Sequence, residues 1–211
     1  MMKNARFANI LPYLMPFIPI LGGIYLLENV WAAMLGYHLL AVTFLIVNKQ
    51  GRHFKRLLVG GTPGTILIFS LLAALSGVLL FFVSRYMSIP VDFGLILERM
   101  GLTSENWLLF ILYYAFVNPI IEEVYWRGFL GTETKNISLS DIAYAGYHPL
   151  VFLRFVSWPW ALIEFGLLFV VAWLWRRLIR IYGGLLLPVL MHLFADLSIG
   201  IAIYYLARSM R

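Results

Sequence analysis

The stretch Asn118-Pro119-Ile120-Ile121-Glu122-Glu123-Val124-Tyr125-Trp126-Arg127-Gly128 sets three ionisable side chains inside an apolar run from Trp107 to Leu130. A run of that length is sufficient to cross a bilayer as a helix. A charged group near the bilayer centre costs roughly 2.5 to 3.5 kcal/mol, so two carboxylates and a guanidinium in one span mark a functional site. On a helix Glu123 and Arg127 are four apart with the acid on the N-terminal side, the favourable orientation for a same-face ion pair. Glu122 points about 100° away, on a face with Asn118 and Trp126, and is left as a free carboxylate, a candidate general base.

The rest of the chain has the composition of a membrane protein. Of 211 residues, 62% are hydrophobic and 12% charged, which predicts an all-α, polytopic transmembrane helix bundle. The net charge of +6 lies in short clusters between apolar runs, the pattern of cytoplasmic loops, so the bilayer and not nucleic acid is the expected partner. The absence of cysteine excludes disulfides, thiol nucleophiles and thiolate metal ligands. Lys3 and Arg6 precede an apolar run, as in a signal peptide, but Pro12, Pro16 and Pro19 interrupt it and no small-residue cleavage site follows. The run reads as a retained first helix.

Apolar segments fall at about 7–27, 30–47, 65–85, 107–130, 141–158, 160–179 and 183–207, which predicts about seven transmembrane helices. Lys49, Arg52, Lys55 and Arg56 form the densest basic loop, and Arg176, Arg177 and Arg180 end the sixth segment. Both clusters become cytoplasmic if the N-terminus is inside, with the C-terminus external. The 86–106 stretch reads as an amphipathic segment along the outer interface. Residues 1–106 then hold helices 1–3 and this segment, and 107–211 the candidate catalytic bundle. Tyr182-Gly183-Gly184 reads as a glycine C-cap joining segments six and seven. Trp107, Trp158 and Trp160 fall at segment ends, where an aromatic belt would place them.

Depth supplies a test of the site. Glu122 lies about eight residues, roughly 12 Å, from the cytoplasmic end of segment four. Counted from their own cytoplasmic ends, His148 in segment five and His192 in segment seven reach about the same level. The predicted site therefore lies between helices 4, 5 and 7. Asp196 shares a helical face with His192, and Tyr144 one with His148. Pro149 directly after His148 predicts a kink or break there. His38 has no polar partner in view and His53 sits in the basic loop, so neither is given a role.

The chemistry narrows by elimination. No H-E-x-x-H run is present for a zinc protease, no serine has a nucleophile setting, and no aspartate pair supports an aspartyl dyad. Glutamate and histidine activating water remain. Glu122-Glu123-x-x-x-Arg127, Tyr144-x-x-x-His148 and His192-x-x-x-Asp196 resemble the three-motif signature (EExxxR, FxxxH, HxxxN/D) of the CPBP family, the CAAX-protease and bacteriocin-processing, or Abi, intramembrane glutamic proteases. The resemblance covers roughly 107–200. It implies that Glu122 activates water with His148 assisting, that Glu123 and Arg127 hold the helix and tune Glu122, and that His192 with Asp196 stabilises the oxyanion. Tyr144 in place of phenylalanine, Pro149 after the histidine, and Asp196 in place of asparagine depart from the common pattern.

The expected function is thus an intramembrane endopeptidase, without cofactor, acting on a membrane-associated peptide or protein, such as a C-terminal or precursor segment. Its expected place is the prokaryotic cell membrane. Two other readings use the same polar core: a metal-dependent membrane protease, since histidines and carboxylates can hold zinc, and a non-catalytic binding, immunity or scaffold protein.

Overall fold

The computed structural model describes residues 10–210. Lys3, Arg6 and Arg211, which enter the charge bias, lie outside them. Among the described residues the chain is helical and contains no strand. Helix α1 covers Ile10–Leu26 and α2 covers Val30–Val47. A 3-10 segment, Gln50–Leu58, follows. Helix α3 is Pro63–Val83, and the short α4 is Phe93–Arg99. Helix α5 is Trp107–Phe129, α6 is Leu139–Phe152, α7 is Trp158–Tyr182, and α8 is Leu186–Ser209.

Among the described residues, four helices are long and apolar enough to cross a membrane: α2, α3 with its extension to Tyr86, α5 and α8. The protein is therefore a multi-pass helical membrane protein. Along α3, Leu67, Ile68, Leu71, Leu72, Leu75 and Leu79 are each more than half exposed, a face that lipid covers. About seven crossings were expected; the three further predicted segments correspond to α1, α6 and α7, which fall outside this group by length or composition. The predicted fifth segment is the 14-residue α6, about 21 Å long against a hydrocarbon core of about 30 Å. Helix α1 is also in the shorter class. Pro149 does not break α6, which runs on through it to Phe152; the chain turns after that, at Leu153–Ser157.

Capping residues delimit several elements. Asn29 accepts from the Ala32 amide (2.9 Å) at the start of α2. Thr62 and Thr65 form a reciprocal box at the start of α3, with Pro63 in the first turn. Gly183, at φ 84°, ends α7 as the sequence predicts, its amide reaching the Ile179 carbonyl at 2.8 Å.

The connections sort into two ends. At one, the amides of Leu185 and Leu186 donate to the carbonyls of Arg56 (2.8 Å) and Val59 (3.0 Å), which pins the 3-10 segment to the start of α8. Gly184 permits this, because a Cβ there would lie 1.9 Å from the Val59 oxygen. At the other end the Gly94 amide reaches Met210 (2.9 Å), Val30 reaches Met100 (2.9 Å), and Arg154 pairs with Glu28 at 2.8 Å. Helix α4 buries Phe93, Gly94 and Leu97 there and exposes its other side, as an amphipathic segment should. Trp107, expected as an interface anchor, is 4% exposed and packs in that cluster with Phe110 and Leu206.

The most extensive helix pairing is α3 with α8. Its crossing is at Gly77, where an added Cβ would stand 2.2 Å from the Ser198 carbonyl group. Ser198 Oγ donates to Ala195 O (2.9 Å), bonding its own helix as such residues do, and accepts from the Gly77 amide (3.1 Å). The main core gathers Ile24 of α1, Tyr37 of α2, Trp126 of α5, Tyr144 and Tyr147 of α6, and Val189 of α8 around the second half of α5.

Candidate active site

Helix α5 changes character where the charges are. It is α-helical over Trp107–Phe116, restarts at Asn118–Glu122 around Pro119, and becomes a π-helix over Glu123–Phe129. The proline removes one backbone donor, and the wider turn closes with the Leu130 amide on the Tyr125 carbonyl at 2.9 Å. Glu122, Glu123, Arg127, His192 and Asp196 are all 5% exposed or less, so each must be satisfied by protein groups.

His192 is where they meet. Its Nδ1 is 3.0 Å from Glu123 Oε1, and its Nε2 is 3.4 Å from Asp196 Oδ2 and 3.6 Å from Glu122 Oε2. Carboxylate oxygens lie off both ring nitrogens, an arrangement that suits an imidazolium donating from each. The Nδ1 contact is a normal hydrogen bond, whereas the two at Nε2 are long, so the Nε2 proton is the less engaged donor. The Trp175 ring lies 4.9 Å from the imidazole.

Arg127 NH1 is 3.4 Å from Glu123 Oε1, the predicted i,i+4 pair. Neither NH1 nor NH2 makes a hydrogen bond within the protein. The guanidinium instead lies over the Tyr144 ring at 3.8 Å and the Trp175 ring at 5.1 Å, so aromatic faces take the place of acceptors.

Glu122 receives a short hydrogen bond on Oε1 from the Tyr147 hydroxyl, while its Oε2 receives none. Tyr147 is held by a stack on Trp126, centroids 5.9 Å apart, and Trp126 Nε1 donates to the Tyr37 hydroxyl at 3.0 Å. His148 stacks on Tyr147 at 4.1 Å and donates from Nδ1 to the Tyr144 carbonyl at 2.8 Å, which leaves its Nε2 as an acceptor. Five of the six predicted residues thus form one buried cluster, and His148 joins it through the Tyr147 ring.

Three contributors were not foreseen. Tyr147 reads in the sequence as one more membrane aromatic. Asn118 was noted on the Glu122 face without a role; its Nδ2 donates to Asp196 Oδ2 at 3.0 Å. His38, expected to be without polar partners, is 2.9 Å from both Asn118 Oδ1 and the Tyr113 hydroxyl. Since Asn118 Oδ1 can only accept, His38 donates from Nε2 and accepts the Tyr113 proton at Nδ1. A directed chain therefore runs from Tyr113 through His38 and Asn118 to Asp196. The residue separations of 75 and 80 hide these contacts from any local pattern.

A second buried charge pair supports the site from one side. Arg176, assigned by sequence to a basic loop cluster, is 3% exposed and holds Asp141 at 2.6 Å, with the carbonyls of Thr134 and Asn136 completing its donors. It fastens α6 and the preceding loop to α7. Among the described residues no set of three or more His, Asp or Glu side chains has a metal-holding arrangement.

The described residues thus form a helical membrane protein with glutamates, histidine and aspartate buried together at the level of a π-helical turn. Residues 104–198 match the family model described as Type II CAAX prenyl endopeptidase Rce1-like, and this part of the chain is a domain of that CPBP/Abi family. The matched region contains every residue of the three motifs. No curated protein and no solved structure matched the chain.

Proposed function

We propose that the chain is an intramembrane endopeptidase in which Glu122 activates water. The observation that carries this reading is the Glu122 carboxylate. It is buried, fixed at Oε1 by Tyr147, free of donors at Oε2, and 3.6 Å from the less engaged Nε2 of His192. A water at Oε2 gives its proton to the carboxylate while its oxygen bonds to the scissile carbonyl carbon and the carbonyl π pair moves onto oxygen. In this reading the His192 Nε2 proton stabilises that oxyanion. Collapse of the tetrahedral intermediate breaks the C–N bond, and the proton on Glu122 passes to the leaving amine. His148 assists through its Nε2 lone pair. Asp196 orients His192, itself held by Asn118 and His38.

The proposed substrate is a peptide bond of a membrane-associated peptide or protein. The proposed topology has seven crossings, with α1, α6 and α7 added to the four long apolar helices, the 48–56 loop in the cytoplasm of a prokaryotic cell and the C-terminus outside. Reporter fusions at 48–56 and at the C-terminus check it: both on one side would refute the odd count.

Glu122→Gln keeps the shape and removes the base. In proteoliposomes with a membrane-anchored peptide library it should leave the fold intact and abolish cleavage detected by mass spectrometry. Full activity in a folded Glu122→Gln variant would refute the mechanism.

A further inference from the structure

The mechanism leaves unused a basic cavity of about 300 Å³ at the end of the bundle that carries the 3-10 segment. Arg52, His53 and Arg56 line it from that segment, Arg127 from α5, and Arg176 and Arg180 from α7. Glu133 is the acid among the lining residues. Arg176 is neutralised by Asp141 and Arg127 by Glu123. Arg180 gives one donor to the Thr134 carbonyl at 2.5 Å, a contact that leaves its charge uncompensated. Arg52, Arg56 and Arg180 against Glu133 leave a positive excess.

Arg127 also lines the cavity, but its guanidinium is taken by Glu123 and by the Tyr144 and Trp175 faces, so the charge free for a ligand is that of Arg52, Arg56 and Arg180. A further observation points to a ligand. His53, 8% exposed, is packed against Gly128; its Nε2 donates to Gln50 Oε1 at 2.9 Å, so its unpartnered Nδ1 is an acceptor, open to a hydroxyl of the ligand. Its pKa is lowered from the usual 6.5 by burial and by Arg52 and Arg56, so at neutral pH the fixed charge of the cavity comes from the arginines. Phe54 and Leu58, on the same 3-10 segment as Arg52 and Arg56, are 41% and 82% exposed, an apolar edge on the element that lines the cavity.

We infer that this cavity is a phosphate-binding site at the membrane face, taking the headgroup of an anionic phospholipid or a free phosphate. Guanidinium forks match phosphate oxygens in geometry and charge. The volume exceeds the needs of a lone carboxylate, and the apolar edge suits acyl chains that leave the headgroup toward the bilayer. Basic pockets between helices at a membrane face recognise lipid headgroups by this combination. The inference does not rest on the proposed hydrolysis, because binding is measured without a substrate.

The test is calorimetric titration of the full chain in detergent with dihexanoyl phosphatidylglycerol, dihexanoyl phosphatidylcholine and inorganic phosphate. Phosphatidylglycerol should bind, and Arg52→Gln combined with Arg56→Gln should weaken it about thirtyfold. Lys55→Gln, on the same segment but outside the lining, should change it less than about threefold. Phosphatidylglycerol binding much more tightly than inorganic phosphate identifies the lipid as the source; equal affinities identify free phosphate. Unaltered binding in the double variant, or equal loss in Lys55→Gln, would overturn the site in favour of diffuse surface charge. Displacement only by a short peptide with a free C-terminal carboxylate, with phosphate inert, would assign the cavity to a peptide end and overturn it equally. Thermal unfolding without lipid checks that the double variant folds. If it does not, Arg180→Gln is titrated instead, and a partial loss is expected from it.

Discussion

Tyr147→Phe isolates the one hydrogen bond that fixes the proposed base. The ring keeps its stack on Trp126 at 5.9 Å and on His148 at 4.1 Å, and only the donor to Glu122 Oε1 disappears. A hydrogen bond to a charged group contributes about 1.5 to 3 kcal/mol. Glu122 without it is free to turn toward His192, so that energy is lost from the catalytic orientation and not from the fold. At 1.36 kcal/mol per decade this predicts a fall in kcat of about 10- to 150-fold with KM little changed. Turnover of a cleavable membrane peptide in proteoliposomes measures both constants, and thermal unfolding in detergent supplies the folding control. His148→Ala, assayed alongside, removes the stacked neighbour and spares the hydroxyl. Tyr147→Phe with parental kcat would refute the claim that this contact holds the working carboxylate.

Asp196→Asn should retain activity within about tenfold, since an amide can still orient His192, whereas Asp196→Ala should lose more; complete loss in the asparagine variant together with chelator inhibition of the parent would replace the glutamate mechanism with a metal-dependent one. Arg127→Ala should destabilise by roughly 3 to 5 kcal/mol, read as a lowered Tm, because it leaves Glu123 buried beside one cation fewer. Arg127→Lys should recover only part of that loss, since an ammonium cannot spread over Tyr144 and Trp175 as the guanidinium does. Gly77→Ala should cost about 1 to 3 kcal/mol by forcing α3 off α8, and an unchanged Tm would show that the crossing yields without strain.

Much of the helical plan is legible in the sequence because apolar run length and capping chemistry are local properties. The run at 30–47 coincides with Val30–Val47, the run at 107–130 with Trp107–Phe129, and Gly183 ends α7 at the predicted place. The charged members of the site are legible for a different reason: ionisable groups stand out against an apolar background, and helical rise alone puts Glu122 and His192 at one level. The π-turn after Glu122 is not legible, because an i,i+4 pair reads alike in either helix. Tyr147 is hidden by its apolar body, which makes it one of twelve tyrosines suited to membrane and core. Arg176 is hidden by its neighbours Arg177 and Arg180, which make a structural cation look like loop charge. His38 and Asn118 need the packing of α2 against α5 to be known before either has a partner.

The Gly77–Ser198 crossing has a bearing on how the site keeps its tolerance. Helix α3 contributes nothing to the polar cluster, yet it touches α8 backbone to backbone beside Asp196. A slip of α8 by one residue would be a shift of about 1.5 Å along the helix and about 100° around it, enough to aim His192 away from both glutamates. A glycine notch and a serine hydroxyl resist that slip where a looser contact between leucines would not. The helix with no chemistry of its own is thus the alignment key of the helix that has it, and a close-tolerance joint of the bundle lies outside the part that reacts.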